Sequence, residues 1–197
     1  MIRLIPLCGI ALIVAGIVQC LLSVILTPML VLHPGAGSGA FLAREGASAI
    51  VALLLLFGCI GVLSSQLSRD TVFQRCAFIV ALSGTALLFA VEWSNVFLLH
   101  ILAQAAPASA TALDRSSLTN VGYGAAAIVF AIGWIMLAAS MLRANIAPRW
   151  SPIAIIAGFI LIPALPGALG TSGGIIGNIV LGVGFGALGY AVASSSL

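Results

Sequence analysis

A chain of 197 residues that is 62% hydrophobic and 6% charged cannot clothe a soluble domain, where about 25% charged residues is ordinary. Its seven arginines and four acids carry a net charge of +3 and stand singly along the chain, which excludes the basic stripe of a nucleic-acid binder. With a mean hydropathy of +1.31, the bilayer is the main solvent. The expected fold is all-α: a single multi-pass bundle with no room for a separate soluble domain.

Apolar runs long enough to cross a hydrocarbon core about 30 Å thick recur six times. The predicted spans are about 4–32, 46–67, 77–102, 118–142, 152–169 and 173–194. The first carries Gln19 amid apolar neighbours. It is too long for a signal peptide, and no small-x-small cleavage site clearly follows it. "HPGAGSG" comes next and contains His33. It lacks the Lys-Ser/Thr pair of a phosphate loop, so it reads as a flexible outer loop. Arg44 and Glu45 fall in the same connection, just before the second span.

The third span holds the most unusual composition, "FAVEWSNVFLLH", with Glu92, Trp93, Asn95 and His100 inside one apolar helix. "AAPASATALDRSS" reads as a loop leading into the fourth span, which carries Tyr123. Before the fifth span, Ser151 followed by Pro152 predicts an N-cap and a first-turn proline. Trp150 reads as an interface anchor. Pro163 and Pro166 interrupt this span, so a re-entrant pair with the sixth is its alternative form. The sixth span is glycine-rich. Gly173 and Gly177 form one GxxxG, Gly182 and Gly186 another, and Gly189 extends the second face. Such faces let helix backbones approach closely, within the bundle or in a homo-oligomer.

Arginine placement orients the chain. With the N-terminus inside, Arg3, Arg69, Arg75, Arg143 and Arg149 lie on the cytoplasmic side, against Arg44 and Arg115 outside. Six spans return the C-terminus to the cytoplasm. No Asn-x-Ser/Thr sequon occurs, and the expected location is a bacterial inner membrane.

Counting 1.5 Å per residue places Glu92 about 22 Å across the core from the inner side. Gln19 on the first span, Tyr123 on the fourth and Asn178 on the sixth come out at a similar depth. On the third helix, Thr85, Glu92, Asn95 and His100 share one face. Four helices thus place polar groups in one outer-leaflet layer. The layer has three readings. In one, Arg44 or Arg115 dips into it and neutralises Glu92, with no further role. Interhelical hydrogen bonds of about 0.6 kcal/mol each would make the layer structural. Alternatively, Glu92, Gln19, Asn95, Tyr123, Asn178 and His100 line an outward-facing pocket for a small polar or cationic solute. An ionisable side chain within a membrane marks such a site, because burying it costs at least about 2.5–3.5 kcal/mol.

No Ser-His-Asp set, HExxH or paired catalytic carboxylates appears, so no enzyme, metal or cofactor is expected. Cys8, Cys20, Cys59 and Cys76 lack CxxC spacing and read as small buried hydrophobes. A haem held between His33 and His100 is a remote third reading. An accessory subunit meeting a membrane partner through the sixth-helix glycines is the second. "LHP" after the first span, an acid late in the third, "PRW" after the fourth and "LGYA" near the end resemble a broad group of uncharacterised bacterial six-helix integral membrane proteins. The pieces are Leu32–Pro34, Glu92, Pro148–Trp150 and Leu188–Ala191. The resemblance implies the architecture and carries no reaction or ligand.

Overall fold

A computed structural model describes residues 4–32, 35–66, 71–114, 116–144 and 147–194. Arg3, His33, Pro34, Arg69, Asp70 and Arg115 lie outside the described residues. The described chain is helical throughout, with no strand.

Helix α1 spans Leu4–Leu21 and runs through a π-helical turn, Leu22–Leu26, into α2, Thr27–Leu32. Helix α3 covers Gly39–Gln66, and α4 covers Val72–Ser94. A second π-helical turn, Asn95–Leu99, carries α4 into α5, His100–Ala105. Helix α6 is Pro107–Asp114, α7 is Ser117–Ala144, α8 is Trp150–Ala164, α9 is Pro166–Leu169 and α10 is Thr171–Ser194. Five of these segments are long and apolar enough to cross a membrane. The expected fifth span is the exception. Trp150–Ala164 falls short, with Pro163 in its last turn and α9 continuing beyond Leu165.

Three boundaries differ from expectation. Helix α3 begins seven residues before the expected Gly46, because the Ser38 hydroxyl accepts the Phe41 N–H at 3.1 Å and caps it. Arg44 and Glu45 therefore lie in the helix rather than in a loop. The stretch read as a loop after the third span contains α6. Ser151 is not the N-cap of α8. Arg149 holds that position, and the buried Ser151 hydroxyl donates to the Gly184 carbonyl of α10 at 3.3 Å.

The helices close into a ring. Helix α1 packs on α3, α3 on α4, α4 on α7, α7 on α8, α8 on α10, and α10 back on α1. Glycines set the close seams. A Cβ on Gly189 would lie 2.5 Å from the Gly9 carbonyl oxygen, and one on Gly84 would lie 2.5 Å from the Phe130 backbone. Gly173 and Gly177 meet Leu165 and Ile162 on the α8 side, and Gly182 meets Gly16 and Cys20 of α1. Four of the five glycines singled out in the last helix are thus spent inside the bundle. A Cβ on Gly186 itself would meet nothing within 4 Å, although it receives Gly16 from α1.

The outside of the ring is apolar. Leu7, Ile10, Val14, Ile17, Leu21 and Val24 stand exposed along one face of the first helix. Phe89, Trp93 and Phe97 stack along α4, with centroids 5.6 and 4.5 Å apart. Large apolar side chains outside and small ones at the helix contacts suit a lipid solvent.

Candidate functional site

Trp134 is fully buried between α7 and its neighbours. Its indole N–H donates to Thr85 Oγ1 at 3.0 Å, and its ring meets Phe185 edge-on at 4.8 Å. Thr85 in turn donates to the Ala81 carbonyl at 2.6 Å. Thr85, expected on the polar face of the third helix, is part of the packed core. Phe130 and Phe185, next to this cluster, line a cavity of about 390 Å³. All six helices of the ring contribute to it. Its polar lining is Gln19, Arg44, Ser48, Glu92, Tyr123 and Asn178. Four residues expected to share one depth, Gln19, Glu92, Tyr123 and Asn178, do meet around one space.

They do not all do the same thing. Gln19 Nε2 donates to Asn178 Oδ1 at 2.7 Å, and Asn178 Nδ2 donates to the Gly174 carbonyl at 2.9 Å. This pair ties α1 to α10. Glu92 is only 5% exposed, yet its Oε2 is a buried oxygen without a hydrogen-bond partner. An unpartnered buried polar atom is costly and rare in a folded protein.

Glu92 lies against two residues that sequence reasoning had placed outside the membrane. Its carboxyl is in side-chain hydrogen-bond range of Glu45, and Arg44 and Tyr123 are close enough to interact electrostatically. Glu45 is also buried, at 2% exposure. Its Oε1 accepts from Arg44 Nη1, and its Oε2 accepts from Asn95 Nδ2 at 2.9 Å. Asn95 thus serves Glu45 and lines a second cavity of about 720 Å³ between α3, α4, α6 and α7. Arg44 and Tyr123 line both cavities. The Ser38 cap was the available sequence signal for Arg44 and Glu45, since it moves the helix start ahead of them.

His100 borders neither cavity. Its Nδ1 lies 2.8 Å from the Ala36 carbonyl and its Nε2 lies 3.0 Å from Gln104 Nε2. Both ring nitrogens are engaged, which fits a neutral ring donating from Nδ1 and accepting at Nε2. The imidazole ties α5 to the turn before α3. Among the described residues, no three His, Cys, Asp or Glu side chains gather as a metal site would require. The four cysteines are free thiols, and Cys76 differs from expectation in being exposed.

Both π-helical turns flank this site. One begins three residues after Gln19, and the other begins at Asn95. In the second, the His100 N–H reaches the Asn95 carbonyl five residues back. Such turns re-phase the helix beyond them and concentrate at functional sites.

Fold and site together define a class: a multi-pass helical membrane bundle with a charged cavity inside its ring. Comparison with protein-family models, curated proteins and solved structures finds no match to this chain.

Proposed function

We propose that this is a non-enzymatic membrane protein whose ring cavity binds a small polar or cationic solute, to pass it across the membrane or to sense it. The observation that carries the reading is Glu92 Oε2, a buried carboxyl oxygen with no partner in a cavity lined by all six helices. A volume of about 390 Å³ is in the range of small-molecule sites. Gln19, Tyr123 and Asn178 would orient the solute, and Glu92 would supply the charge or hydrogen-bond acceptor. Asn95 would act at one remove, through Glu45.

In this reading α8 and α9 together make the sixth crossing. Residues 150–169 span about 30 Å at helical rise, which equals the hydrocarbon thickness. Arg75, Arg143 and Arg149 then share the cytoplasmic end of a bacterial inner-membrane protein, with both termini inside. The rival role as an accessory subunit loses support, because Gly173, Gly177, Gly182 and Gly189 already contact α1 and α8.

The test is thermal stabilisation in mild detergent by a panel of amines, quaternary ammonium ions, amino acids and sugars. At least one class should raise the Tm of the wild type. Glu92→Gln should keep the fold and lose that response. A panel that shifts neither protein, or shifts both equally, ends the reading.

A further inference from the structure

We infer that the Glu45–Glu92 carboxyl pair is a point of exchange, where an amphipathic organic cation entering the ring cavity replaces a proton that the two carboxyls share. The inference rests on the solute-binding reading above and names its substrate class and coupling.

Three observations lead there. First, two carboxyls in hydrogen-bond range of each other need a proton between them, since ionised carboxylates only accept. Like charges held that close do not both ionise readily. Both oxygens of Glu45 already accept, from Arg44 and from Asn95. That leaves Glu92 as the natural donor of the shared proton.

Second, the charges balance in only one simple way. Among the described residues, the charged or titratable side chains facing the pair are Arg44 and Glu45 from α3, Glu92 from α4 and Tyr123 from α7. Helices α1, α8 and α10 bring only neutral groups to the cavity, including Gln19 and Asn178. One guanidinium and two carboxyls holding one proton sum to zero. A cation entering this buried space would leave it with an uncompensated charge, which is costly in a low dielectric. Loss of the shared proton restores neutrality. The Glu92 O–H bond breaks, the proton leaves to water, and the cation's charge stands in its place. No covalent bond forms to the solute.

Third, the cavity is two-faced. Its polar groups are joined by a wall of Phe130, Phe159, Phe185, Leu88, Ile162 and Leu181. A hydrated metal ion would face this wall without ligands. An organic cation with an apolar or aromatic body would bury that body against it while its charged head reaches Glu92 Oε2.

The experiment uses benzyltrimethylammonium, a quaternary cation with no titratable proton, so any proton released comes from the protein. Full-length protein in dodecyl maltoside is titrated calorimetrically in two buffers of different ionisation enthalpy, from pH 6 to pH 8. About one proton should leave per cation bound, and the affinity should rise about tenfold per pH unit while the pair holds its proton. Glu92→Gln should bind at least about tenfold more weakly and release none. Binding without proton release would overturn the exchange and leave the cavity reading standing. Proton release that survives in Glu92→Gln would overturn the assignment to this pair. Failure of the wild type to bind the cation would overturn the substrate class, and the broader solute panel would then decide the cavity reading. The proton count is read on the wild type, so the exchange itself is tested whether or not the variant folds.

Discussion

The two ends of the bundle are built by different means. At the end carrying the start of α1 and the end of α10, backbones touch. A Cβ on Gly189 would meet Gly9 and the Ile13 amide nitrogen at 2.5–2.6 Å, and one on Gly133 would crowd the Ala81 backbone. At the end carrying α6 there are two cavities sharing Arg44 and Tyr123, although α10 still touches backbone there at Gly173 and Gly177. Lipid tails are as apolar as leucine, so helices in a membrane associate through close packing and interhelical hydrogen bonds. Glycine contacts run the length of α10, from Gly173 against Leu165 to Gly189 against Gly9, and hold α1, α8 and α10 together. Polar side chains around a carboxyl pair line the two cavities at the α6 end. Tight glycine seams can hold the ring together while the α6 end keeps an unsatisfied oxygen.

Trp134 joins the two ends, and its loss should have the largest effect on stability. Trp134→Ala would open a void beneath Phe185 and remove the indole N–H that Thr85 accepts, costing about 3–5 kcal/mol, measurable as a collapse of Tm in detergent. At the end away from α6, Gly189→Ala should cost about 1–3 kcal/mol, because the new methyl meets backbone rather than a side chain that can swing away. An unchanged Tm in that variant would break the contrast between the ends. Gly186→Ala, one turn away on the same helix, sharpens it. Its Cβ enters open space, and the gain in helix propensity should stabilise by about 0.5–1 kcal/mol. Smallest is the Gln19–Asn178 tie at the α6 end. A double-mutant cycle with leucine at both positions should give a coupling of about 0.6 kcal/mol. A coupling several times larger would make the polar layer structural.

Much of this was legible in the residues. Five expected spans correspond to long apolar helices, and the proline-broken one is the one that falls short. Counting rise per residue brought Gln19, Glu92, Tyr123 and Asn178 to one depth, and they line one cavity. His100 lines neither cavity, and the phase counted to it along an uninterrupted α-helix takes no account of the π-helical turn from Asn95 to Leu99. From sequence, Arg44 is weighed only as a charge dipping in to neutralise Glu92, and Glu45 stays in the outer connection. Two charges beside a glycine-rich loop look like solvent-exposed chain, and only the burial of Glu45 with its bonds to Arg44 and Asn95 makes them part of a site.

Composition and periodicity by themselves determined the apolar solvent, the helical class and the common level of Gln19, Glu92, Tyr123 and Asn178, because those depend on local hydropathy and on a fixed rise per residue. Which polar groups meet was decided by the closing of the ring. The same count that set Asn178 level with Glu92 could not say that the amide would spend itself on Gln19 while the Glu92 carboxyl kept one oxygen free. That division depends on which faces the glycine seams turn toward each other, and those seams exist only once the helices are packed.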